Sequence, residues 1–203
     1  IAGVYCVTQG TPGDPGASYI DITSKTVLTS VVPGIAATGV INASNQTVSG
    51  GSQFTSRPAN LTGNWQYMAM SANDQGSINV LLTHWNTTTN SRDTISITQY
   101  LLPGMVMSWA SFSIPLTYLS GANPDTCLIV LASSNGHATA NSFLYIDNLA
   151  FSGTAAGIEN PTSFLNSMDV YPNPSNGNMQ LDLNFKSPQQ TTIELTDLNG
   201  RVV

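Results

Sequence analysis

An all-β chain is predicted, with a jelly-roll β-sandwich as its main body. Three observations carry the prediction. Short runs alternating apolar and polar residues follow one another along the chain, and no stretch of helical length shows an apolar stripe of period 3.6. Gly, Pro and Asn clusters punctuate these runs roughly every ten to fifteen residues, giving on the order of eight strands, the number a jelly roll needs. Charged residues make up only 8% of the chain, against about 25% in an average soluble domain. Ser, Thr, Asn and Gly take their place, and such a surface stays wet through hydroxyls and amides, as suits an extracellular β-protein.

Taken in order, residues 4–9 read as the first strand, and Thr11-Pro12-Gly13-Asp14-Pro15-Gly16 as a turn-rich loop. Residues 19–22 and 25–32 are strands, the second ended by Pro33-Gly34, and residues 35–42 follow before a polar loop to Gly50-Gly51. Residues 64–72 carry Trp65, Tyr67 and Met68. Residues 77–85 form a strong strand with Ile78, Val80 and Leu82 on one face. A polar loop at 86–91 leads to a returning strand at 92–100. Residues 105–116 make one long strand or two, through Trp109, Phe112 and Ile114, and residues 125–133 and 142–151 complete the set. Gly153-Thr154-Ala155-Ala156-Gly157 opens a small-residue linker. The expected organisation is a body at 1–153, a linker at 154–167 and a small β-module at 168–203.

That last module is entered by a rigid turn. In Val170-Tyr171-Pro172-Asn173-Pro174-Ser175-Asn176-Gly177 two prolines bracket an Asn, so the chain runs extended and then must turn, with Gly177 free to take positive φ. Leu181, Leu183 and Phe185 then alternate with Asp182, Asn184 and Lys186, and Asp197-Leu198-Asn199-Gly200 reads as a hairpin turn into Arg201-Val202-Val203. This order of Pro turn, alternating Leu and Gly-Arg turn resembles the type A C-terminal sorting domain of proteins exported by the type IX secretion system of Bacteroidota. The resemblance implies an address recognised by the translocon and sorting machinery. It nominates Tyr171, Pro172, Asn173, Pro174, Gly177, Asp197, Gly200 and Arg201 as the sorting signal, for recognition and folding. The family continues for further strands after Gly-Arg, so the module is expected to be partial here.

Composition excludes several function classes. With five Lys and Arg and a net charge of −6, the chain lacks the clustered cations of a nucleic-acid groove or a polybasic membrane anchor. No apolar run approaches the ~18 residues of a transmembrane helix. The first residues lack the pattern of a signal peptide, so an exported protein would already have lost it. Cys6 and Cys127 either pair, closing a loop worth about 4–5 kcal/mol in the chain-entropy model, or remain small buried thiols.

The body also resembles a family. Arg57-Pro58-Ala59-Asn60-Leu61-Thr62-Gly63-Asn64-Trp65, Asp74-Gln75-Gly76, Leu82-Thr83-His84-Trp85-Asn86, Arg92-Asp93-Thr94-Ile95, Ile114-Pro115-Leu116-Thr117-Tyr118, Pro124-Asp125-Thr126 and Leu144-Tyr145-Ile146-Asp147-Asn148-Leu149 follow one another as in the carbohydrate metabolism domain family. More loosely they are similar to jelly-roll carbohydrate-binding modules. The match spans about residues 15–152 and implies a lectin-like sandwich. In such modules the Asp of a similar Tyr-x-Asp-Asp strand holds a structural calcium, which nominates Asp147; the alternative is an Asp bonded to Arg57, Arg92 or a backbone amide.

Trp65, Tyr67 and Trp85 are the candidate sugar-stacking residues, with Trp85, beside a polar loop, the most exposed by this reading. Trp109, among apolar neighbours, is assigned to the core. A glycosidase needs two facing carboxylates, but the body contains Asp14, Asp21, Asp74, Asp93, Asp125 and Asp147 and no Glu, most of them in turn contexts. His84 and His137 belong to no visible nucleophile arrangement. The leading expectation is therefore a secreted or cell-surface protein whose body binds glycan. An adhesive surface protein with a protein partner is the alternative, and a polysaccharide-acting enzyme is the least supported.

Overall fold

The structure, a computed structural model, describes residues 3–42, 44–45, 47–155, 165–171, 180–186 and 188. Contacts divide the chain into two units, Ile1–Gly157 and Ile158–Val203.

The strands of the first unit are Val7–Gly10 (β1), Tyr19–Thr23 (β2), Lys25–Val27 (β3), Ser30–Val32 (β4), Ile35–Ala37 (β5), Val40–Asn42 (β6), Thr47–Ser49 (β7), Ser52–Gln53 (β8), Asn60–Met68 (β9), Ser77–Asn86 (β10), Ser91–Leu101 (β11), Val106–Pro115 (β12), Thr126–Ala132 (β13) and Phe143–Ser152 (β14). They form a jelly-roll sandwich. One sheet has the order β1-β2-β14-β9-β12, the other β11-β10-β13-β5, with β8 also on β13. The long central strands explain the order. β9 alternates buried and half-buried residues throughout, so it serves two faces and sits between β14 and β12. β13, Thr126-Cys127-Leu128-Ile129-Val130-Leu131-Ala132, is buried along most of its length and takes a central place in the other sheet.

Ile22, Leu61, Tyr67, Leu144 and Ile146 from the first sheet meet Ile78, Val80, Leu82 and Ile95 from the second, all almost fully buried. Each such side chain contributes about 1.5–3 kcal/mol relative to staying in water. Cys127 belongs to this core; both cysteines are free thiols, and burial pushes the Cys127 thiol up to about 11.

Two expected strands are broken in the structure. Residues 25–32 form a hairpin of β3 and β4, turning at Leu28, which has φ 57° and is 82% exposed. Residues 35–42 divide between β5, on the second sheet, and β6, which pairs with β7 in its own hairpin. In both cases apolar content hid a turn that carries no Pro or Asn signal.

In the second unit, Leu165–Tyr171 (β15) pairs antiparallel with Gln180–Phe185 (β16). Leu181, Leu183 and Phe185 are half-buried while Asp182 and Asn184 are exposed, the alternation read from the sequence. β15 begins inside the stretch read as linker.

Candidate functional site

Register partners in a sheet project to the same face. In the five-stranded sheet the inward face is set by Ile22, Leu144, Leu61 and Ile114, so the residues one step away point outward. Asp21 is paired with Tyr145, Tyr145 with Gln66, and Gly10 with Tyr19. Ser111 is paired with Asn64, and the register then slips between Val106 and Ala110. Trp109, two residues before Ser111, stands on the same outward side.

The outcome is a continuous row of rings on one open face. Phe143 stacks on Tyr145 with centroids 4.4 Å apart, Tyr145 meets Tyr19 at 4.9 Å, and Tyr19 meets the edge of Trp109 at 5.2 Å. All four are half-buried. Glycine makes the geometry possible at one point: a Cβ on Gly10 would fall 2.0 Å from the Tyr19 ring. Polar groups border the row. With its amide turned so that the oxygen faces the indole, Gln66 accepts from Trp109 Nε1 at 3.0 Å and donates to the Met107 carbonyl at 3.3 Å. Asp21 accepts from the Thr23 hydroxyl at 2.5 Å. Burial pushes the Tyr19 and Tyr145 phenols up, and the neighbouring Asp21 charge pushes both the same way. A groove of about 620 Å³ lies at the edge of the sandwich on the inward side of these strands, lined by Gln9, Ile20, Ile146 and Ala36 of the opposite sheet.

The structure corrects two of the three residues nominated for sugar stacking. Trp65 is 5% exposed and Tyr67 1%; both share the inward face of β9 with Leu61. Tyr67 lies in the core with its hydroxyl accepting the Gly76 amide at 2.6 Å. Trp109, assigned to the core from its neighbours, is a member of the outward row. Parity carried the signal: Phe112 and Ile114 point inward, so Ser111 and Trp109 alternate outward, as Tyr145 does between Leu144 and Ile146.

Trp85 is 42% exposed and stands elsewhere, at the end of the other sheet. It is paired with Arg92, whose guanidinium carbon lies 5.8 Å from the indole centroid. Asp125 organises this corner, accepting from Arg92 Nη1 and from the Trp85 amide, each at 2.7 Å. The Thr126 hydroxyl, the Trp85 amide and Arg92 together hold the Asp125 carboxyl well below the usual carboxylate range. Its stabilising contribution is therefore complete above the unfolded value of about 3.9 and is lost as pH falls through the folded value. Asp125→Asn is expected to lower the urea midpoint at pH 7, with the gap to wild type closing on acidification below about pH 4. A gap constant from pH 7 to pH 2 would contradict this.

Asp147, the residue nominated for calcium, bonds to two backbone amides. Its Oδ2 accepts the Asp14 amide at 2.6 Å and its Oδ1 the Asn148 amide at 2.7 Å. Each carboxylate oxygen thus takes one backbone N–H, and the nearby Asp14 carbonyl accepts from Asn64 Nδ2 at 2.7 Å. Among the described residues no three His, Cys, Asp or Glu side chains gather to hold a metal. Asp147 instead fastens the 11–16 loop to the sheet, and Gly13 passes so close that a Cβ there would stand 2.5 Å from Oδ2.

Comparison with known proteins adds the C-terminal unit. Residues 169–203 match the family model described as "Secretion system C-terminal sorting domain". The chain carries a sorting tail. It is exported by type IX secretion to the cell surface or the extracellular space, and no helix among the described residues is long and apolar enough to cross a membrane. Of the nominated sorting residues, Tyr171 ends β15 and is 44% exposed. Pro172, Asn173, Pro174, Gly177, Asp197, Gly200 and Arg201 lie outside the described residues.

No curated protein matches the chain. Among solved structures it is similar to one described as "Family 16 Carbohydrate Binding Module-2", at 14% identity and TM-score 0.42, covering 74% of this chain and 88% of that one. It is also similar to a non-crystalline cellulose specific carbohydrate-binding module, CBM28, at 9% identity and TM-score 0.41, covering 72% and 80%.

Proposed function

We propose that the exported body binds glycan on the outward face of its five-stranded sheet. The observation that carries this reading is the row Phe143, Tyr145, Tyr19 and Trp109, contiguous at 4.4 to 5.2 Å between centroids and bordered by amide, hydroxyl and carboxylate groups. A sugar ring offers an apolar face to stack on an arene and hydroxyls to bond at its rim. Aromatic walls with a few placed polar groups are what such a ligand uses. The sorting tail is read as the address for the secretion and sorting machinery, with Tyr171, its Pro turn and its Gly-Arg turn as the recognised features. The body is read as a binding module that the tail delivers outside the cell.

Binding of the full chain to a glycan array tests the reading, with Trp109→Ala, Tyr145→Ala and Trp85→Ala alongside. Loss of one anchoring ring from a binding face costs about 2 kcal/mol or more, a factor of roughly thirty. Trp109→Ala and Tyr145→Ala are expected to lose that much while Trp85→Ala binds as wild type. Binding that follows Trp85 instead would move the site to the Arg92 corner. Failure to bind any glycan would leave the adhesive reading, with another protein as partner.

A further inference from the structure

We propose that Asp21 makes the aromatic row selective by charge, so that it takes uncharged glycan chains and rejects carboxylated or sulfated ones. The inference rests on the glycan-binding reading and deepens it.

The five strands of this sheet, Val7–Gly10, Tyr19–Thr23, Phe143–Ser152, Asn60–Met68 and Val106–Pro115, contain no Lys, Arg or His. They carry two carboxylates, Asp21 and Asp147. The Asp147 charge is met by the amides of Asp14 and Asn148 at 2.6 and 2.7 Å. Among the described residues the side-chain partners of Asp21 are hydroxyls, Thr23 at 2.5 Å and Thr8 at 3.4 Å. These hold the carboxylate on the outward face without neutralising it. It lies directly across the ladder from Tyr145, and its charge is felt at both the Tyr19 and Tyr145 hydroxyls. The body's cations are placed elsewhere. Lys25 is in β3, outside this sheet. Arg57 donates to the Ala122 carbonyl and lies over the Tyr118 ring, and Arg92 is paired with Asp125.

A sugar laid along the rings brings its substituents within reach of Asp21. A hydroxyl there donates to the carboxylate, which is favourable. A carboxylate or sulfate meets a like charge with no cation on the sheet to offset it. At partly exposed sites in moderate salt, such a contact is expected to weaken binding by about tenfold, and the penalty to shrink as salt shortens the screening length.

The experiment takes the neutral polysaccharide that binds best on the array and compares it with a hydroxyethylated and a carboxymethylated sample of the same polymer. Affinity electrophoresis of the full chain at 20 mM and 500 mM NaCl reads the dissociation constants. The hydroxyethyl sample controls for bulk. The carboxymethyl sample should bind roughly tenfold more weakly at low salt, and the gap to the hydroxyethyl sample should close at high salt and in Asp21→Asn. Equal binding of the two derivatives at low salt, or a gap that Asp21→Asn leaves intact, would overturn the inference while sparing the platform. No binding by any of the three polymers would overturn both.

Discussion

Asp74→Ala is expected to lower the stability of the body by about 2–4 kcal/mol. In a domain of this size that is a fall in Tm of roughly 5–15 °C. Asp74 is 5% exposed, and its Oδ2 accepts from Ser134 Oγ at 2.8 Å, Ser142 Oγ at 2.6 Å and the Thr139 amide at 3.0 Å. The same hydroxyls reach further. Ser134 meets Ser24 at 2.8 Å, Ser24 meets Ser133 at 2.9 Å, and Ser133 accepts the Gly34 amide at 3.1 Å. One carboxylate thereby ties the loop after β9, the loop after β13 and the start of β5. Alanine leaves these donors buried without their acceptor, and that desolvation loss outweighs the relief of removing a buried charge. Asp74→Asn separates acceptor from charge. Its amide oxygen can take the place of Oδ2, and its NH₂ falls where Oδ1 already has no partner, so it should cost about 1–2 kcal/mol. Urea denaturation of wild type and both variants decides the matter. If Asp74→Ala unfolds at the wild-type midpoint, the network is ornamental to stability; if Asn is as costly as Ala, the charge and not the acceptor carries the effect.

The sheet architecture was legible because alternation is a direct imprint of the pleat. Residues 77–85 announced their buried face through Ile78, Val80 and Leu82, and all three are buried. The sorting tail was legible for a different reason: its order of turns and strands is a recognisable pattern, and residues 169–203 match it. The hairpin at Leu28 was not legible, since nothing in Thr26-Val27-Leu28-Thr29-Ser30 marks a left-handed residue. Asp74 looked like one more turn Asp beside Gly76; that it gathers Ser134 and Ser142 from some sixty residues away is tertiary information. The binding face shows the subtler failure. Aromatic type was read, but the side of the sheet was not followed strand by strand. Applying parity to β9 would have sent Trp65 and Tyr67 inward with Leu61, and applying it to β2, β12 and β14 would have brought Tyr19, Trp109 and Tyr145 outward. That these three converge into one row depends on strand order, which alternation within a single strand does not contain.

The same parity argument sets the largest expected effect. Trp65→Ala should destabilise the body by about 3–5 kcal/mol, the range for deleting a large aromatic from a packed core. The indole lies 5.4 Å from the Phe112 ring within its own sheet and 6.1 Å from Tyr100 of β11 in the opposite one. It therefore bridges the two layers, and alanine would leave a cavity that rigid strands on both sides cannot close. Trp85→Ala removes a ring of the same type that is 42% exposed, and it should cost less than about 1 kcal/mol. Side-by-side urea melts of the two variants convert inward and outward placement into a difference of several kcal/mol in unfolding free energy. Equal, small losses in both would mean that Trp65 does not fill the core. A ring held between two sheets has no face left for a sugar, so any binding lost in Trp65→Ala should return when an osmolyte restores the folded fraction, whereas binding lost in Trp109→Ala should not.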